Sequence, residues 1–179
     1  MISRYFQNGL SMVALDCFEN MQAEGIQPDR IIFTTVLKAC VGAGSIKHAM
    51  EIHDQIIRIG LYMDVNISSS LVVTYAKFKC LKESRNVFNV TSQRNVVLWG
   101  AMITGYIEHG FGHDALSLYQ KMQEIGVKPD RVIYLCLLKA CGCIETIKPC
   151  KILHDEIIRA GMGSCKHTSG RVCKMCVPK

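Results

Sequence analysis

An all-α architecture of stacked helical hairpins is predicted by three features of the sequence: a long internal repeat, apolar residues at helical spacing, and chain stops that cut it into pieces of hairpin length. Residues 1–64 match residues 102–165 without a gap at an offset of 101. Of the 64 aligned pairs 25 are identical, among them Met1 with Met102, Tyr5 with Tyr106, Pro28 with Pro129 and His53 with His154. Self-similarity at a fixed period marks a repeat architecture, in which each unit buries its apolar stripe only against its neighbours.

The 101-residue unit is too long for one hairpin and breaks where Gly, Pro, Asp and Asn gather. Three pieces result: 30–64, 65–95 and 96–130, of 35, 31 and 35 residues. Each is expected to hold two helices. In the first, Phe33, Val36, Leu37 and Cys40 share a helical face, Ser45 stands where it can cap the second helix, and Ala49, Ile52, His53 and Ile56 form that helix's stripe. In the second, Leu71, Val72 and Tyr75 precede a shorter helix ending around Val87 and Phe88. In the third, Trp99, Met102, Ile103 and Tyr106 form a stripe that ends near Gly110 and Gly112. Ala115, Leu118, Tyr119 and Met122 form the next, and the GVKPD stretch from Gly126 to Asp130 stops it with a glycine and a helix-incompatible proline.

Composition agrees with a folded chain of this kind. The 179 residues are 49% apolar and 20% charged, which is globular rather than disordered. No segment has the roughly 18 uninterrupted apolar residues of a membrane span, and the N-terminus lacks the basic flank, apolar stretch and cleavage site of a secretory signal. The reading is of a soluble, non-secreted chain without a membrane partner. Several of the ten cysteines fall inside helical stripes, where a free thiol acts as a small apolar side chain, so a disulfide scaffold is not expected. A formal charge of +6 suits a polyanionic partner but is unspecific by itself.

Spacing alone does not separate the families of helical repeat of this length, but residues do. VVLWGAMITGY from Val96, followed by HDALSLYQKMQEIGVKPD ending at Asp130, resembles the P-type motif of the pentatricopeptide repeat (PPR) family. Residues 30–64, with FTTVLKAC from Phe33 and EIHDQIIRIGL from Glu51, resemble the L-type motif, and residues 65–95, with TYAKFKC from Thr74, the short S-type. Residues 1–29 resemble the later part of a P motif, 131–165 a degenerate L motif, and 166–179 form a basic, Cys-containing tail. The P, L, S order is similar to that of the PLS subfamily of plant organelle proteins. The opening methionine aligns inside a repeat, so the chain looks like a fragment or truncated member.

The resemblance implies a right-handed α-solenoid binding single-stranded RNA, with one repeat per nucleotide. In this family the fifth and last residues of a motif face the same base and the second packs on its plane. The S motif then reads with Ser69 and Asn95, with Asn66 packing, an adenine-like pair. The P motif offers Gly100 and Asp130, with Val97 packing; the family usually carries Asn at the place of Gly100, and Asp130 suggests a keto base. The L motif offers Thr34 and Asp64, a guanine-like pair, and Asp29 closes the first, incomplete motif. Leu135 and Cys165, in the last repeat, fit no base-reading pattern. An ionised Asp offers only acceptors whereas Asn offers donor and acceptor, which lets the last residue separate keto from amino bases. Asp after Pro also simply suits a turn.

Other signals carry less. His53 with His154 and Cys40 with Cys141 recur on apolar stripes and are expected to be packing residues, the imidazole hydrogen-bonded locally. Pro149 is expected in the first turn of a helix. Cys165, His167, Cys173 and Cys176 count four potential zinc ligands, but one Cys-x-x-Cys pair with loose partners is a weak pattern, and no metal or cofactor is expected. Cys173 and Cys176 are not read as half of a zinc deaminase site, so no catalysis is expected, and editing would require a deaminase-bearing partner in trans. The implied setting is a mitochondrion or chloroplast, as an adaptor in RNA editing or processing. The alternatives are a protein-binding helical scaffold and a truncated, nonfunctional remnant.

Overall fold

The computed structural model describes residues 1–143 and 147–159. Among them are ten α-helices and no strand: α1 (Ile2–Gln7), α2 (Ser11–Ala23), α3 (Arg30–Ala43), α4 (Ile46–Arg58), α5 (Val65–Lys77), α6 (Leu81–Val90), α7 (Val96–Glu108), α8 (Gly112–Glu124), α9 (Arg131–Cys143) and α10 (Ile147–Arg159). No helix among the described residues is long and apolar enough to cross a membrane. The chain divides into two compact units, 1–102 and 103–179.

Local chemistry sets the helix ends. Asp29, Ser45 and Asp64 cap α3, α4 and α5, each accepting from a backbone N–H of the first turn. At the other end of α3 the chain turns left-handed at Gly44 (φ 69°), and the Ser45 N–H reaches back to the Cys40 carbonyl at 3.0 Å. After α5 the same left-handed turn falls on Lys79 (φ 62°), which bears the Cβ strain that a glycine avoids. A 3₁₀ turn at Leu61–Met63, which periodicity does not signal, carries the chain from α4 into α5.

In the first unit the first helices of successive hairpins lie side by side, α1 against α3 and α3 against α5, while α2 packs on α3 and α6 on α5. The predicted stripes are the core: Phe33, Val36, Leu37, Cys40, Ala49, Ile52, Ile56, Leu71, Val72 and Tyr75 are all buried. The second helix of the short piece runs to Val90, slightly beyond the expected end at Val87 and Phe88. Buried hydroxyls join neighbouring helices: Ser84 donates to the Val72 carbonyl at 3.0 Å and Thr74 to the Leu37 carbonyl at 3.5 Å. In the second unit α8 packs on α9 and α9 on α10, around Leu118, Met122, Ile133, Leu137 and Leu153.

The repeat extends to individual contacts. Phe18 meets Phe33 edge-on at 6.0 Å in the first unit, and Tyr119 meets Tyr134 at 6.3 Å in the second, the same positions displaced by 101. Gln22 donates to Gln55 at 2.7 Å, and the corresponding Gln123 donates to Glu156 at 3.2 Å. Where Phe18 has become Tyr119, its hydroxyl donates to Glu156, and burial together with that carboxylate pushes the phenol well above its ordinary range. These polar rungs hold one register between consecutive second helices, because a slip would leave half-buried amides unpaired.

His53 corrects an expectation. Its Nδ1 pairs with the Tyr75 hydroxyl at 2.8 Å, a partner 22 residues on in the next hairpin rather than a local one. Burial lowers its pKa from the ordinary 6.5, with Asp54 pulling weakly the other way. The unfolded chain therefore takes up the proton first, and this site's stabilisation, full above the ordinary value, is lost as pH falls through the folded one. Unfolding midpoints measured between about pH 8 and about pH 5.5 are expected to fall, and to fall less in His53→Gln. Equal slopes would remove His53 as the cause.

Cys17, Cys40, Cys80, Cys136 and Cys141 are not joined in disulfides, and burial pushes the Cys40 thiol up to about 12, so it is an inert packing group. Cys141 is buried likewise. Pro149 falls in the first turn of α10. The side chain of His154, and Cys165, His167, Cys173 and Cys176, lie outside the described residues.

Candidate nucleic-acid interface

One face of the first helices in the first unit borders a cleft of about 550 Å³, lined by Phe6 of α1, Thr34, Lys38 and Val41 of α3, Asn66, Ser69, Ser70, Val73, Thr74 and Lys77 of α5, and Val97 and Ala101 of α7. Thr34, Lys38 and Val41 follow the i, i+4, i+7 spacing of one helical face, as do Asn66, Ser70, Val73 and Lys77. The lining contains two lysines and no carboxylate. Of its hydroxyls, three give their protons back to their own helix, Thr34 to the Ile31 carbonyl at 2.9 Å, Ser69 to Val65 at 2.7 Å and Ser70 to Asn66 at 2.9 Å, while Thr74 donates across to the Leu37 carbonyl. Their lone pairs remain for a ligand.

Thus Thr34, Asn66, Ser69 and Val97 come together in this cleft. Ser69 is largely covered, at 7% exposure, whereas Val97 stands 56% exposed. Gly100 is half-buried within α7 and does not line the cleft. The four end-of-repeat residues sit instead at helix starts. Asp29 accepts from the Ile32 N–H at 2.7 Å, Asp64 from Asn66 at 2.9 Å and Ile67 at 3.1 Å, and Asn95 from Leu98 at 3.0 Å; in the second unit Asp130 accepts from Ile133 at 2.9 Å. Each bond uses one side-chain atom, Oδ1. At Asp64 the second oxygen is occupied as well, for Arg30 Nη1 lies 3.2 Å from Oδ2. Burial raises the Asp64 carboxyl, but the Ile67 and Asn66 amides and Arg30 outweigh it and hold the group below its ordinary value. Leu135, in α9, is partly exposed at 39%.

The reading by fifth, second and last positions missed Lys38, Val73, Lys77 and Arg30. Lys38 and Val73 follow the fifth residues by four positions, so helical spacing is the signal that finds them. Arg30 gives no such signal, since its pairing with Asp64 closes over 34 residues. No group of three or more His, Cys, Asp or Glu capable of holding a metal ion occurs among the described residues.

Paired helices that repeat their contacts and turn one face of their first helices to a common cleft define an α-solenoid of helix–turn–helix repeats. Family models of this class match three stretches: the PPR repeat at residues 1–26, the pentatricopeptide repeat domain at 16–62 and the PPR repeat family at 94–143. The chain belongs to the pentatricopeptide repeat family. The chloroplastic pentatricopeptide repeat-containing protein At4g25270 of Arabidopsis thaliana is 36% identical over 90% of this chain and 30% of its own length, and At3g12770 of the same plant is 40% identical over 90% and 24%. The chain therefore spans less than a third of these relatives. Among solved structures, maize PPR10 is similar with a TM-score of 0.79 at 23% identity, over 97% of this chain and 26% of that one. PPR10 in complex with an 18-nt psaJ RNA element is similar at 0.77 and 22%, over 98% and 26%.

Proposed function

We propose that this chain binds single-stranded RNA with base selectivity, as an adaptor in organelle RNA editing or processing, and that it performs no chemistry itself. The observation that carries the reading is the cleft along the first helices, whose lining brings together two lysines, Thr and Ser hydroxyls and exposed Val97 and contains no carboxylate. Lysines suit phosphates, an apolar second residue suits the face of a base, and hydroxyl oxygens suit exocyclic amino groups. The P, L, S order of motifs and the relative named chloroplastic support a setting in a chloroplast or mitochondrion, and in this reading any deamination is supplied by a partner in trans.

The caps give the base code a physical cause. An NH₂ group cannot accept, so the Asn95 amide must turn its oxygen to the Leu98 N–H and its Nδ2 donors outward. Ser69, its proton given to Val65, offers an acceptor. An acceptor and a donor offered to one base would match the amino group and adjacent ring nitrogen of adenine. At Asp130 the outward atom is a carboxylate oxygen, which matches the ring N–H of a keto base.

Titration of single-stranded RNA oligomers against the chain at several salt concentrations tests this. Affinity is expected to fall as salt rises, and replacing both Lys38 and Lys77 by alanine to reduce the log–log slope by about 1.4, or about 0.7 per lost phosphate contact on a single strand. Absence of RNA binding, with salt-insensitive binding to a protein partner, would instead support a protein-binding scaffold.

A further inference from the structure

Four residues end the repeats with the same capping bond, yet Asp64 differs from the others. Asp29, Asn95 and Asp130 each engage one side-chain atom at a helix start, whereas Asp64 engages both, Oδ1 with two amides and Oδ2 with Arg30. Arg30 opens α3, and the residues that open α5 and α7, Val65 and Val96, are aliphatic and carry no such pairing group. We infer that Arg30 is a specificity-determining residue, whose guanidinium occupies the carboxylate oxygen that would otherwise face a base, so that the repeat of Thr34 and Asp64 spaces the RNA without selecting a nucleotide.

The chemistry is a competition for one lone-pair site. A keto base would present its ring N–H to Oδ2, but the guanidinium already supplies an N–H there at 3.2 Å and brings a full charge. Arg30 is 68% exposed and Asp64 15%, so the pair is anchored on the carboxylate side and wet on the other. An exposed ion pair of this kind shifts an equilibrium by at most about 5-fold, which sets the size of the preference it conceals. The inference rests on the RNA-binding reading, because a base must approach Asp64 for the pairing to matter.

The test is selection from a randomised single-stranded RNA pool by the full chain and by Arg30→Val, which installs the residue type that the chain itself uses at the starts of α5 and α7. The wild type is expected to show a flat column beside the position read by Ser69 and Asn95. Arg30→Val is expected to enrich guanine and uracil there by about 2- to 5-fold. Adding Asp64→Asn, which keeps the cap while turning an amide outward, is expected to move that enrichment to adenine and cytosine. Circular dichroism of each variant checks that the helices remain, and Asn95→Asp serves as a control at its own column. A wild-type column already enriched in keto bases, or an Arg30→Val column that stays flat while Asn95→Asp shifts its own, overturns the role of Arg30. Loss of every enriched column, with Asn95→Asp inert, overturns the RNA reading and the inference together.

Discussion

Trp99→Ala lowers the stability of the first unit by about 3–5 kcal/mol, the largest single-residue loss expected in the chain. Trp99 is 2% exposed, and its ring stands edge-on to Phe88 at 4.9 Å. Arg94 lies over the other side of this junction, its guanidinium carbon 4.9 Å from the Phe88 ring centroid and its donors on the Phe88 and Asn89 carbonyls. Truncation removes the apolar area and leaves a void between α6 and α7 that rigid helices cannot close. Trp99→Phe is expected to cost under about 1.5 kcal/mol despite the smaller ring. The indole Nε1 has no hydrogen-bond partner among the described residues, so its deletion relieves a buried, unpaired donor and offsets part of the lost packing. Denaturant unfolding followed by far-ultraviolet circular dichroism measures both. An alanine variant within about 1 kcal/mol of wild type would show that the junction repacks.

The second large effect concerns selectivity. Asn95→Asp is expected to move the preference at one nucleotide from adenine toward guanine by roughly 5- to 150-fold, the range for leaving one buried polar group facing the wrong partner. Asp and Asn cap helices about equally well, so the bond to Leu98 survives and α7 keeps its start. Only the outward atom changes, from an N–H donor to a carboxylate oxygen. Against the ring nitrogen of adenine this places two acceptors together, and against the ring N–H of guanine it forms a charge-assisted bond. Ser69 can swing its proton from the Val65 carbonyl to the guanine carbonyl, since a hydroxyl rotor serves either role. Competition binding with RNAs that differ at one base reads the ratio. An unchanged ratio with binding intact would remove Asn95 from base recognition.

Helical periodicity made most of the scaffold legible. Phe33, Val36, Leu37, Trp99, Met102, Leu118 and Met122 recur at helical spacing, and all are buried, because a two-helix unit has one face to hide and its sequence must mark it. Tyr106 belongs to the same stripe but stays half-buried, its ring edge-on to Phe111 at 6.4 Å, since spacing specifies a direction on the helix and not what covers it there. The candidate site was legible only in part. Ser69, Asn66, Thr34 and Val97 share the cleft, while Asn95, Asp64 and Asp29 stand at helix starts as caps, a role that Asp and Asn advertise in sequence before any ligand is considered.

What the amino-acid order determined alone is the set of helices, their caps and buried stripes, and the repetition at 101, because those depend on contacts within a few turns of chain. Only the tertiary structure decided that Tyr75 rather than a local group holds His53, that Gln22 and Gln55 form a rung, and that Arg30 reaches Asp64. Each of these bonds joins residues 22 to 34 positions apart, and so depends on how one hairpin seats on the next. That seating is fixed by side-chain interlock across the stack, which periodicity within a single helix does not encode.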